Sequence, residues 1–138
     1  TLFRSVTLLL MDEPTNGLDI PSRSQFRKMI ATNMSDDKAV IISTHQVRDI
    51  DSLLDHVVII DEKQLLLNES VANICDTIYF AEQSMNESTD EALYVQPSVQ
   101  GNHVVLPNTY HEDSNLNLEV LFNAMLAERE KMQQMFNR

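Results

Sequence analysis

The sequence contains very little glycine and cysteine. Its only glycines are Gly17 and Gly101, which excludes a GxxxxGK[ST] phosphate-binding loop, since that loop needs two closely spaced glycines. The single cysteine, Cys75, excludes an intrachain disulfide and fits a reducing compartment. No apolar run approaches the roughly 20 residues that cross a bilayer, and the N-terminus has no signal-peptide pattern. If the protein works at a membrane, we expect other chains to span it.

Basic residues are also scarce, and they are unevenly distributed. The net charge is −11 over 138 residues, with −3 from residues 1–63 and −8 from residues 64–138. No lysine or arginine lies between Lys63 and Arg129. Such a surface repels the phosphate backbone, so we expect no nucleic-acid partner. The hydrophobic content of 43% is typical of a globular chain, and the length suits one domain or part of one.

The first five residues, Thr-Leu-Phe-Arg-Ser, match a translation of the end of a widely used sequencing adapter, ACG CTC TTC CGA TCT. We therefore expect residues 1–5 to be a non-native assembly scar and the native sequence to begin near Val6.

Two adjacent carboxylates follow the first apolar run. Val6 to Met11 is typical of a buried strand in a parallel sheet covered on both faces, and Asp12 and Glu13 come directly after it. In open α/β sheets ligands bind at the carboxyl ends of the strands. A carboxylate there can hold a cation, and a second one can orient or deprotonate a water molecule. A turn-capping Asp12 beside a solvated Glu13 is the simpler alternative.

The rest of the pattern predicts alternating strands and helices, and then a change of character near residue 69. A helix begins near Pro21, and a second buried strand at Lys38–Ser43 ends before Thr44 and His45. In a parallel sheet this order places His45 at the same edge as the two acids. The later predicted elements are a short helix around residues 47–54, strands 57–60 and 64–67, a helix at 70–76, strands 77–81, 93–95 and 103–106, and one long helix at 116–136.

The segment LLLMDEPTNGLD, followed by Ser-Thr-His-Gln after the next strand, resembles the Walker B strand, D-loop and switch-histidine segment of the ABC transporter ATPases. The resemblance covers residues 6 to about 68. It implies that Asp12 positions Mg²⁺ through water, that Glu13 is the general base for the attacking water, and that His45 contacts the γ-phosphate. Residues Asn16, Gly17, Leu18 and Asp19 match the D-loop, which reaches the partner subunit. For Asp19, a purely turn-stabilising role is the alternative.

The resemblance also defines what is missing. In this family the phosphate-binding loop, the Leu-Ser-Gly-Gly-Gln signature, the glutamine loop and the adenine-stacking aromatic all precede Walker B. We therefore expect an α/β fold in which residues 6–68 are the C-terminal half of a P-loop NTPase core with a parallel sheet. An acidic α+β extension, residues 69–138, follows and ends in a long helix. The intact subunit would be an ATPase that uses ATP and Mg²⁺, and this fragment alone should be inactive.

The branch of the ABC ATPase family that the chain resembles is indicated less directly than the family itself. Gly17 and the Thr44-His45-Gln46 run disfavour the translation-factor ATPases, and DNA-repair relatives carry coiled coils and basic surfaces that are not seen here. The segment LNLEVLFNAMLA is similar to the closing helix of drug-export ATPases. This implies a second ATPase subunit, in a homodimer or heterodimer, and transmembrane permease subunits as partners, with the protein cytoplasmic on the inner face of the membrane. The extension as a regulatory or dimerisation module remains an alternative.

Overall fold

The computed structural model describes residues 7–137, so the predicted scar at residues 1–5 lies outside the described residues. The chain splits into two compact units, Thr1–Leu53 and Leu54–Arg138. The predicted division after residue 68 follows a family resemblance, and it stays a prediction.

The first unit is built on two parallel strands. Strand β1 (Leu8–Asp12) and strand β2 (Ala39–Ser43) are joined by helix α1 (Ile20–Asn33), and the register runs from Leu8 opposite Ala39 to Asp12 opposite Ser43. Two short 3-10 helices, Val47–Asp49 and Asp51–Leu53, replace the single short helix predicted after β2. The strand–helix–strand order predicted for this segment is confirmed.

Helix α1 begins where its sequence provides a cap. The Asp19 carboxylate accepts the backbone amide of Ser22 at 2.9 Å, and Pro21 lies in the first turn, where no amide partner is needed. The helical spacing of Phe26, Met29, Ile30 and Met34 predicts one apolar face. Phe26 and Ile30 are buried, whereas Met29 and Met34 expose 40% and 43% of their surface, so the buried face of α1 is narrower than this spacing predicts.

The prediction that the first two strands are covered on both faces is wrong for this chain. Leu8, Leu10 and Ile41 expose 51%, 66% and 57% of their surface. Apolar strand runs of this kind come from sheets packed on both sides. In the described residues, one face of the two-stranded β1–β2 sheet is left uncovered.

The second unit starts with an antiparallel hairpin. Strand β3 (His56–Asp61) pairs with strand β4 (Gln64–Ser70) across a turn in which Glu62 and Lys63 both have positive φ, as tight hairpin turns require. The two strands predicted at 57–60 and 64–67 are confirmed. The prediction that β3 continues the parallel sheet is not met, because its strand partner within residues 7–137 is β4. An apolar run predicts a strand but does not specify the strand beside it.

The remaining elements form an antiparallel sheet with helices. The strands are β5 (Ile78–Gln83), β6 (Tyr94–Ser98) and β7 (Gly101–Pro107), and the helices are α2 (Val71–Thr77), α3 (Leu118–Ala127) and α4 (Arg129–Phe136). Helix α2 is capped by Ser70 and leads into the antiparallel sheet, whose strand order is β5-β7-β6. The long helix predicted at 116–136 is instead two helices, α3 and α4, that meet at Glu128, whose backbone leaves the helical region.

Part of the core of the second unit is fully closed to solvent. Eight apolar side chains in this unit have no exposed surface: Ile74, Ile78, Val104, Val105, Leu121, Ala124, Met125 and Met132. The Arg129 guanidinium contacts the Asp61 carboxylate at 2.6 Å, and the Gln133 amide donates to the Leu66 carbonyl at 3.2 Å. Helix α4 is thereby tied to the β3–β4 hairpin. Over residues 7–137, no helix has the length and apolarity that a membrane span requires.

Candidate active site

Glu13 lies directly beyond the end of β1, in a backbone conformation that L-residues rarely adopt. Its φ is +46°, its backbone amide donates to the Ser43 carbonyl at 2.7 Å, and its own carbonyl accepts the Asn16 amide at 3.1 Å. Left-handed backbone costs a non-glycine residue free energy, and it persists where surrounding contacts enforce it. Here the sheet on one side and the loop on the other hold Glu13 at the strand end.

The carboxylate of Glu13 meets the segment that follows β2. The His45 ring nitrogen Nδ1 is 2.6 Å from Glu13 Oε1, and the His45 backbone amide donates to the same oxygen at 3.0 Å. The Thr44 hydroxyl donates to Glu13 Oε2 at 2.9 Å. Because β1 and β2 are parallel and end together, residues distant in sequence converge here, as the sequence order predicts.

Hydrogen bonding favours the ionised form of this carboxylate. The His45 side chain, followed by the Thr44 hydroxyl and the His45 backbone amide, holds the pKa of Glu13 below its ordinary value against an opposing desolvation. An ionised carboxylate only accepts hydrogen bonds, so His45 Nδ1 must carry the shared hydrogen. In the neutral ring, Nε2 is then an acceptor, and donation from Nε2 requires a protonated ring. The His45 side chain is 73% exposed, so Nε2 is open to a ligand.

Asp12 occupies the last position of β1. Its carboxylate accepts a hydrogen bond from the Ser43 hydroxyl, directly opposite in the register, and its side chain is exposed. Within residues 7–137, no group of three or more His, Cys, Asp or Glu residues could hold a metal by itself. Mg²⁺ in nucleotide sites commonly uses one or two carboxylates, with water and phosphate oxygens as its other ligands. A single exposed Asp12 fits that mode of binding and does not fit a self-sufficient metal centre.

The predicted D-loop residues form the turn between β1 and α1. Gly17 has φ +75° with open space around it, and Arg23 Nε donates to the Leu18 carbonyl at 2.9 Å. Asn16 is exposed, and Asp19 serves as the helix cap described above. The capping contact supports the turn-stabilising alternative for Asp19. A contact of this loop with a partner subunit stays a prediction.

Two functional candidates were missed by the sequence-based assignment, which gave no role to Ser43 or Thr44. Their hydroxyls contact Asp12 and Glu13, so two consecutive hydroxyls pair with two consecutive acids. The signal was present in the sequence, because a parallel register that aligns the two strand ends also aligns these residue pairs.

No family model matches this chain. Among curated proteins it is similar to the ABC transporter ATP-binding protein YdbJ of Bacillus subtilis, with 30% identity over 78% of this chain and 32% of YdbJ. It is 33% identical to the lantibiotic transport ATP-binding protein SrtF of Streptococcus pyogenes over 50% of this chain and 30% of SrtF. The energy-coupling factor transporter ATP-binding protein EcfA2 of Staphylococcus saprophyticus is 37% identical over 43% of this chain and 21% of EcfA2.

All three relatives are named as ATP-binding proteins of transporters, although the transport systems in their names differ. The chain is a homologue of the ABC transporter ATP-binding proteins. It spans about a third, or less, of the length of the relatives it matches.

Proposed function

We propose that this chain supplies the water-activating side of the ATP-hydrolysis site in an ABC transporter ATP-binding subunit. The observation that carries the proposal is the 2.6 Å contact between His45 and Glu13 at the ends of adjacent parallel strands. "Whole subunit" here means this chain joined to the phosphate-binding half that the family resemblance implies.

In the proposed mechanism Glu13 orients the attacking water and accepts its proton. Phosphoryl transfer requires little covalent work from the protein, so positioning and charge stabilisation dominate the rate. A carboxylate with a lowered pKa is a weak base in the ground state, and it therefore acts by orienting the water until the proton is released late in the reaction. The contacts with Thr44 and His45 restrain the position from which Glu13 orients the water and then accepts its proton.

His45 and Asp12 complete the proposed set. With its ring protonated, His45 would donate from Nε2 to the γ-phosphate while Nδ1 stays on Glu13. Asp12, restrained by Ser43, would hold Mg²⁺ through water, and that ion would neutralise phosphate charge when bound. The D-loop residues Asn16 to Asp19 would face the partner subunit.

The partners follow from the family. Relatives named for lantibiotic transport and for energy-coupling factor transport support a role beside transmembrane permease subunits and a second ATPase subunit. The exporter branch and a location on the cytoplasmic face of the membrane are part of the same proposal. The exporter branch rests on the likeness of residues 116–127 to the closing helix of drug-export ATPases, and α3 covers residues 118–127 of that segment.

Nucleotide titration tests whether the chain is one side of a site. We expect a fluorescent ATP analogue to show no measurable affinity for the chain alone, because the chain has no backbone cradle or lysine for the β- and γ-phosphates. The whole subunit should bind the same analogue. Micromolar, Mg²⁺-dependent binding to the chain alone would contradict the proposal.

Replacing the base tests the role of Glu13. In the whole subunit, Glu13→Gln should lower ATP turnover by about 10²–10⁴-fold while ATP binding is kept, because the amide retains size but cannot accept the proton. Glu62→Gln in the exposed β3–β4 turn is the matched control and should retain turnover. Parental turnover in Glu13→Gln would exclude Glu13 as the base.

A further inference from the structure

The hydroxyl of Thr44 has a position that the ends of the two strands impose. Asp12 is opposite Ser43 in the β1–β2 register, and the Glu13 amide continues the pairing by donating to the Ser43 carbonyl at 2.7 Å. The next side chain along, Thr44, therefore faces Glu13 and donates to Oε2 at 2.9 Å. This contact joins residues 31 positions apart.

The direction of this hydrogen bond is fixed by a second one. The backbone amide of Gln46 donates to Thr44 Oγ1 at 2.9 Å, so this oxygen acts as an acceptor on that side. The hydroxyl hydrogen is then available to Glu13, whose carboxylate can only accept. The chain Gln46 N–H to Thr44 O–H to Glu13 is a short cooperative series, and such series strengthen their members.

The two oxygens of Glu13 are restrained differently. Oε1 accepts both the backbone amide and the ring nitrogen of His45, whereas Oε2 accepts the Thr44 hydroxyl. The last torsion of a glutamate side chain is broad and is poorly fixed by rotamer preference alone. With Oε1 held, only a contact at Oε2 fixes the plane of the carboxylate.

We propose that Thr44 is a positioning residue, which sets the plane of the Glu13 carboxylate and leaves one acceptor site of Oε2 directed at the attacking water. A carboxylate offers about four acceptor sites, and the three contacts above occupy all but one. The positioning is a property of the chain itself. Its catalytic consequence rests on the proposed function.

The positioning is tested by NMR on the full chain. We expect a protected Thr44 hydroxyl proton, and a reduced order parameter for the Glu13 carboxyl group, from ¹³Cδ relaxation, in Thr44→Val but not in Thr44→Ser. Thr32→Val on the exposed surface of α1 makes the same chemical change elsewhere and should leave Glu13 unaltered. An unchanged Glu13 order parameter in a folded Thr44→Val chain overturns the proposal. So does a Thr44 hydroxyl proton that exchanges at the solvent rate, which is measured without any variant.

A purely structural role for Thr44 predicts a different pattern. Loss of the Gln46 hydrogen bond would change the exchange of the Gln46 amide while the Glu13 carboxyl group kept its order. That result counts against positioning. A rigid Glu13 carboxyl group in Thr44→Ser together with a mobile one in Thr44→Val supports it.

The catalytic consequence is tested in the whole subunit. Thr44→Val should lower kcat about tenfold with KM within twofold, and Thr44→Ser should restore kcat. If Glu13→Gln abolishes turnover but Thr44→Val does not lower kcat, the catalytic part of the inference fails alone. If Glu13→Gln retains turnover, the proposed function fails, and the NMR measurement still decides whether Thr44 positions Glu13.

Discussion

The two units of this protein differ in where their apolar residues lie. Among the described residues, all the apolar side chains with no exposed surface belong to the Leu54–Arg138 unit. In the Thr1–Leu53 unit, even buried residues such as Phe26 and Ile30 keep some exposed surface. The first unit carries the acids and the histidine of the candidate site, while its strands leave Leu8, Leu10 and Ile41 exposed. The proposed site therefore lies on the unit that has fewer fully buried side chains.

The largest effect on stability should come from the core of the second unit. Leu121→Ala removes a fully buried side chain from α3 and should cost about 2–5 kcal/mol of unfolding free energy. Leu10→Ala in β1 removes a side chain that is already 66% exposed and should change it by less than about 0.5 kcal/mol. Denaturant titration followed by circular dichroism measures both changes. The three tyrosines, at positions 79, 94 and 110, all lie in the second unit, so their fluorescence reports its unfolding separately.

Equal losses of unfolding free energy in Leu121→Ala and Leu10→Ala would contradict this difference between the two units. They would mean that the exposed face of β1 is packed in solution.

The next largest effect concerns activity on the first unit. In the whole subunit, His45→Ala should lower kcat by about 10²–10³-fold, the range expected for a preorganised donor, with nucleotide affinity kept within a few-fold. Because the ring is 73% exposed, its removal should leave the melting temperature nearly unchanged. Steady-state ATPase assays and melting curves on the same variant separate a catalytic role of His45 from a structural one. A lowered melting temperature with kcat preserved would make His45 a structural residue.

An intermediate effect should come from the link between α4 and the hairpin. Arg129→Met removes the contacts of the guanidinium with Asp61 at 2.6 Å and Gln64 at 3.2 Å, and it should cost about 1 kcal/mol of stability. Arg129→Lys retains the charge but loses the two-pronged geometry, so it should recover only part of the loss. Thermal melting and limited proteolysis between residues 61 and 129 measure the effect. If Arg129→Met matches the parental chain in both, the hairpin and the extension do not depend on this contact.

The smallest effect concerns the cap of α1 and its dependence on pH. The hydrogen bonds from Ser22 lower the pKa of Asp19, so this stabilisation is present above the ordinary Asp pKa and is lost as pH falls through the lower folded value. Asp19→Asn keeps the cap and removes the titration, and Asp19→Ala removes both. We expect Asp19→Ala to melt a few degrees lower at neutral pH, and Asp19→Asn to melt like the parental chain there. Helicity measured between pH 2 and 6 would contradict this if all three proteins lost it alike.

The sequence predicted the elements better than their partners. The apolar runs ending at Met11 and Ser43 located both strands, and their common direction placed Glu13 near His45, as the structure shows. The partner of β3 was not predictable, because apolar residues identify a strand without identifying its neighbour. The break at Glu128 was also missed, since one helix was predicted over residues 116–136 and only the backbone conformation of Glu128 shows that it ends there. Ser43 and Thr44 were overlooked because hydroxyl residues are common at strand ends and gain meaning only from the register.

The roles of the site residues depend on whether Glu13 and His45 act as one unit, and a double-mutant cycle on kcat in the whole subunit measures this directly. Glu13→Gln, His45→Ala and the double variant are compared with the parental protein at saturating ATP. Because the two side chains meet at 2.6 Å, we predict that the double variant is no slower than Glu13→Gln alone. Losses that multiply, so that the double variant is slower by the product of the two single effects, would contradict a shared catalytic role.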